Sequence, residues 1–103
     1  MSALVTIGAG ELRRLAAATL TAAGAQAEHA ASTAEVLVES DLLGITTHGV
    51  QRLATYCQRL RQGGIKAAAE ITVERKAASL ALVDGDSALG QAVATTALDS
   101  GLK

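Results

Sequence analysis

The sequence predicts an α-rich α/β fold: three amino-terminal helices, then a short pair of strands and a further helix. Three observations carry that expectation. Up to Gln62 apolar residues recur at helical spacing in long stretches, interrupted at Gly24, Gly44 and Gly63-Gly64. From Ile71 the texture changes to the short β-branched or apolar runs Ile71-Thr72-Val73-Glu74 and Ser79-Leu80-Ala81-Leu82-Val83. After Asp84-Gly85-Asp86-Ser87, which is turn chemistry, helical spacing returns at about Gln91.

Each element has its own reason. The first helix, about 10–23, carries Leu12, Leu15, Ala16 and Leu20 on one side, with alanines supplying propensity and Gly24 the stop. The second, about 26–43, turns Ala30, Ala34, Leu37 and Val38 inward and Glu28, Glu35 and Glu39 outward, and ends at Gly44. The third, about 48–62, is capped by Thr46 or Thr47 and buries Val50, Leu53, Cys57 and Leu60. Strands are expected at about 71–75 and 79–84, paired with one another, and the last helix from about 90, with Val93, Ala94, Ala97 and Leu98 at helical spacing. Two strands do not make a self-sufficient sheet, so the 103 residues read as one portion of a larger architecture, its sheet completed by further residues or by another molecule.

Composition removes several function classes. Nine basic against ten acidic residues, with Tyr56 the only aromatic, give neither a basic groove nor a stacking platform for nucleic acid. No apolar run approaches the ~18 residues that span a bilayer, so no membrane partner is expected. Arg13-Arg14 followed by Leu15 to Ala27 imitates a signal peptide, but Glu11 precedes it and Thr19, Thr21 and Gln26 interrupt it. The single cysteine, Cys57, has no internal disulfide partner and falls on an apolar helix face, which fits a reducing, cytoplasmic compartment.

Weak motifs lose to plain structure. Leu4-Val5-Thr6-Ile7-Gly8-Ala9-Gly10 looks like a strand and a phosphate turn, but the third glycine position of a dinucleotide fingerprint holds Arg13. Gly85 to Gly90 has P-loop glycine spacing, yet Gln91 stands where the lysine belongs. His29 beside Glu28 reads as a solvated surface histidine, and with His48 nineteen positions away and no ligand companion, no metal site is expected.

Reactive side chains gather in Thr46-Thr47-His48-Gly49-Val50-Gln51-Arg52-Leu53-Ala54-Thr55-Tyr56. On a helix begun at His48, the imidazole, the Arg52 guanidinium and the Tyr56 phenol stand at i, i+4 and i+8 and share a face. A base, a carboxylate fork and a phenol together would suit a small acid, though spacing alone equally allows surface decoration.

The run from Ser40 to Tyr56, then Gly63-Gly64-Ile65, then Val83-Asp84-Gly85-Asp86-Ser87-Ala88-Leu89-Gly90-Gln91, resembles the amino-terminal region of the malate/L-lactate dehydrogenase family. That group includes ureidoglycolate, sulfolactate and diketogulonate dehydrogenases and the reductase of piperideine-2-carboxylate. Two departures are visible: Thr47 stands where the family usually has serine, which keeps the hydroxyl, and Lys66-Ala67-Ala68-Ala69 stands where it usually has proline. The resemblance implies part of a larger mixed α/β dehydrogenase fold, with the cofactor region absent from this chain. It implies an NAD- or NADP-dependent oxidoreductase interconverting 2-hydroxy or 2-amino acids with 2-oxo or 2-imino acids. By resemblance His48 is the proton donor and base, Thr47 orients its ring, Arg52 grips the substrate carboxylate and Tyr56 lines the same pocket. Homodimerisation, and inactivity of the chain on its own, are further expectations. The alternative is a non-catalytic helical module, a truncated relative that pairs with itself or with a longer protein.

Overall fold

In a computed structural model of the protein, residues 6–102 are described. The order of elements is α1 (Ala9–Ala22), α2 (Ala27–Leu42), two 3-10 turns (Thr46–His48 and Val50–Arg52), α3 (Leu53–Gln62), β1 (Thr72–Ala77), β2 (Leu80–Asp84) and α4 (Gly90–Gly101). Among the described residues, four α-helices and one antiparallel hairpin make the α-rich α/β arrangement that the sequence predicts. Gly24, Gly44 and Gly63, at φ of +114°, +81° and +81°, follow the ends of α1, α2 and α3. Each takes the left-handed turn that costs a side-chain-bearing residue but not glycine.

The core forms where alanine-rich helix faces meet. Leu20, Ala23, Ala25, Ala30, Cys57, Leu60, Leu89 and Ala92 make one buried cluster, with Leu53, Tyr56, Ile65, Ala67 and Ile71 packed against it. α2 runs between α1 and α4 and buries Ala30, Thr33, Ala34, Leu37 and Val38, four of them the predicted inward residues. Burying a leucine such as Leu20 or Leu37 contributes about 1.5–3 kcal/mol each. The Cys57 thiol is buried and lies 3.8 Å from the Thr19 carbonyl, a small apolar group with one weak polar contact.

Between α3 and the hairpin the chain has no regular structure, and side chains hold it. Gln26 at the start of α2 donates through Nε2 to the carbonyl of Ala69 at 2.6 Å, which ties this segment to the helix layer. Asp86 ties it to the turn after β2. Its carboxylate accepts from Lys66 Nζ at 3.0 Å and from the Glu70 amide at 3.0 Å, while its own amide donates to Asp84 Oδ1. The Glu70 amide first, and then the Lys66 ammonium, hold the Asp86 carboxyl below the usual carboxylate range. Asp86 and Ser87 adopt φ of 51° and 59°, so the turn is left-handed at two consecutive residues that are not glycine.

The hairpin pairs Thr72 with Asp84, Val73 with Val83, Glu74 with Leu82 and Arg75 with Ala81, then slips so that Ala77 faces Leu80. Every residue of β1 is exposed, and β2 is only half-covered on alternate residues. With extents of 56 × 30 × 19 Å, the radius of gyration of 15.0 Å exceeds the ~13 Å of a compact chain of this length.

The expected start of the third helix is corrected. The third helix does not begin at His48: the α-helix starts at Leu53, preceded by the two 3-10 turns with an extended Gly49 between them. The last helix turns Ala92 inward and leaves Leu98 62% exposed. Its covered side is set by contact with α2, which no local pattern in α4 encodes. Leu4 and Val5 of the glycine-containing stretch lie outside the described residues; Gly8 precedes α1 and Gly10 sits in its first turn.

Candidate active site

The Thr46 to Tyr56 segment is shaped from outside as much as from within. Neither threonine caps it. The acceptor comes from α2 instead, where Asp41 Oδ2 takes the Val50 amide at 2.9 Å. Gly49, at φ −96° and ψ −156°, is buried against that carboxylate, and a Cβ there would overlap it. An α-helix cannot run through a residue held extended, so His48 is left on its own short turn.

Freed from capping, Thr47 links the two groups of interest. Its hydroxyl lies 2.9 Å from His48 Nδ1, and its carbonyl accepts from Arg52 Nε at 2.8 Å. Among the described residues the terminal nitrogens of Arg52 have no hydrogen-bond partner. His48 and Arg52 are exposed, and one residue joins them rather than a shared helix face.

Tyr56 is elsewhere. Its hydroxyl accepts from Gln91 Nε2 at 2.9 Å, inside a hollow of about 630 Å³ that Leu89, Ala94 and Leu98 also line. Neither His48 nor Arg52 borders that hollow. The break at Gly49 takes His48 off the helix that carries Tyr56 and that Arg52 precedes, so the expected continuous helical face of three groups does not form. His29 lines another hollow, of about 520 Å³, with Glu28, Glu70 and Asp99. No group of three or more His, Cys, Asp or Glu is gathered for a metal ion among the described residues.

A profile for malate/L-lactate dehydrogenase matches residues 7–103. The chain belongs to the malate/L-lactate dehydrogenase family. It is similar to the malate/(S)-sulfolactate dehydrogenase of Methanothermus fervidus, 42% identical over 82% of this chain and 25% of that one. It is also similar to the ureidoglycolate dehydrogenase (NAD(+)) of Escherichia coli K12, 36% identical over 89% of this chain and 26% of that one. Among solved structures, malate dehydrogenase from Pyrococcus horikoshii OT3 superposes with a TM-score of 0.85 at 36% identity, over 92% of this chain and 27% of that one. This member of the family thus spans about a quarter of the length of the relatives it matches.

Sequence reasoning missed three residues of the malate/L-lactate dehydrogenase segment. Asp41 stood in the matched run without a role, and a carboxylate near the end of α2, where the helix dipole disfavours it, was the available signal. Gln91 and Gln26 act across 35 and 43 residues, and nothing local announces either.

Proposed function

We propose that this chain is a portion of an NAD- or NADP-dependent oxidoreductase that interconverts 2-hydroxy or 2-amino acids and 2-oxo or 2-imino acids; its relatives are named as dehydrogenases, one of them with NAD(+). The observation that supports it is the Thr47 link, which holds an exposed imidazole through its hydroxyl and an exposed guanidinium through its carbonyl. The only sheet among the described residues is an antiparallel hairpin, without the parallel strand and glycine-rich turn of an ordinary dinucleotide fold. The part we assign to this chain's own side chains is the proton and the carboxylate.

With the Thr47 hydroxyl oxygen accepting from Nδ1–H, the His48 ring keeps Nε2 for proton exchange in both of its states. As imidazolium it donates from Nε2 to the oxygen or nitrogen that gains electron density on reduction, and as neutral imidazole it takes that proton back in oxidation. Arg52 spends Nε on Thr47, and its outer edge offers both terminal nitrogens to a planar carboxylate in two parallel bonds. The substrate is a small 2-oxo or 2-hydroxy acid and the compartment cytoplasmic.

A second reading, a non-catalytic module that associates with itself or with a longer protein, is favoured by Leu42, Leu43 and Ile45, exposed by 61%, 67% and 49%. The same residues suit a homodimeric dehydrogenase. Oxidation of NADH and NADPH with a panel of 2-oxo acids separates the readings. The assay is run on this chain and on a chimera in which it replaces the matching quarter of the Methanothermus fervidus enzyme. The chain alone is expected to be inactive and the chimera active. An inactive but folded chimera would favour the module, and activity of the chain alone would refute the expected dependence on the rest of a family-length protein.

A further inference from the structure

Asp41 has no place in the proton and carboxylate chemistry, yet it controls the residues that follow His48. It sits in the last turn of α2, where the negative end of the helix disfavours a carboxylate. Its partner lies nine residues on, at the Val50 amide, and the contact is partly buried. The same carboxylate occupies the volume that any side chain at Gly49 would need.

The two residues after His48 are thus fixed by one side chain, Gly49 by contact and Val50 by a hydrogen bond. Without it, the first turn has two 3-10 bonds of 3.1 Å, from the His48 amide to the Ile45 carbonyl and from the Gly49 amide to the Thr46 carbonyl. Such bonds have poorer geometry than those of an α-helix, and His48 itself is exposed. Arg52 Nε on the Thr47 carbonyl holds the loop from the other side.

We propose that Asp41 is a positioning residue for His48: by accepting from Val50 and seating against Gly49 it sets where the imidazole stands relative to Arg52. In its kinetic consequence this rests on the reading of His48 as the proton-exchanging group, but in its geometry it does not. An acceptor of the right length is what matters, so Asp41→Asn preserves the arrangement. Asp41→Ala removes it, and Asp41→Glu keeps the charge but pushes the acceptor into Gly49.

The test is NMR of the purified protein, following Val50 amide exchange and the His48 ring resonances, with kcat and KM measured in the chimera. Asp41→Ala is expected to lower Val50 protection at least tenfold and shift the His48 ring signals. It is also expected to reduce kcat by about 10- to 100-fold while KM changes little, since a small misplacement is enough for such a loss. Asp41→Asn stays close to wild type in all of these. Unchanged Val50 and His48 signals in Asp41→Ala, or equal damage from Asp41→Asn, would overturn the proposal. Should Asp41→Ala not fold, a native-like Asp41→Asn beside a shifted Asp41→Glu supports it, and native-like signals in both overturn it. A wild-type chimera without turnover would strike the dehydrogenase reading alone, because the NMR comparison still decides the role of Asp41.

Discussion

The Gln91 side-chain amide donates to the Tyr56 hydroxyl at 2.9 Å, joining the first turn of α4 to the middle of α3 across 35 residues of chain. The phenol, half-buried against the core, is thereby committed to holding two helices together. Replacing Tyr56 by phenylalanine should cost about 1 kcal/mol of stability in urea denaturation, the worth of a partly buried neutral hydrogen bond. In an active chimera KM for the 2-oxo acid should stay within about twofold, and a tenfold rise would return Tyr56 to the substrate pocket.

Arg52 should behave differently. Lysine keeps the charge but loses both the Nε contact to Thr47 and the paired geometry for a carboxylate. KM for a 2-oxo acid should rise about 10- to 100-fold in Arg52→Lys, as expected of losing one charge-assisted hydrogen bond. Steady-state kinetics with the chimera gives the answer, and an unchanged KM would remove the carboxylate role.

The helix layer was readable because its cause is local. Alanine and leucine recur at helical spacing on α2, and glycine ends α1, α2 and α3, so Ala30, Ala34, Leu37 and Val38 could be named as inward from the sequence. The start of α3 was not readable, since Gly49 is held extended by Asp41 and the spacing of His48, Arg52 and Tyr56 imitates a continuous helix. His48, Arg52 and Thr47 stood out by residue type and by family resemblance, which has the Thr47 hydroxyl orient the ring; the sequence did not show that the Thr47 carbonyl also takes Arg52 Nε. The exposed face of α4 depends on what packs beside it, which periodicity does not record.

Core and surface leucines offer a direct contrast. Leu37, placed inward by the sequence, is completely buried, whereas Leu98 is 62% exposed. Leu37→Ala should lose about 2–5 kcal/mol to transfer and cavity terms. Leu98→Ala should stay within about 0.5 kcal/mol in the same urea titration. Equal losses would mean that Leu98 is covered in solution.

Acid should loosen the turn after β2. The Asp86 carboxyl is held below its usual range by the Glu70 amide and Lys66, so its contribution is fully present above the ordinary aspartate pKa of about 4 and is lost as pH falls through the lowered folded value. Urea midpoints measured from pH 6 downward should fall less steeply for Asp86→Asn than for the wild type. Lys66→Met should remove only part of the difference, because the backbone amide is the larger cause.

The joining of imidazole and guanidinium through Thr47 is tested most directly by the turnover of the chimera with and without the His48 ring. His48→Ala should lower kcat by about 10²- to 10⁴-fold, the usual contribution of a positioned acid or base, while a 2-oxo acid analogue held by Arg52 binds as before. Turnover within a few-fold of wild type would show that the proton comes from another group and that the Thr47 link serves no chemistry.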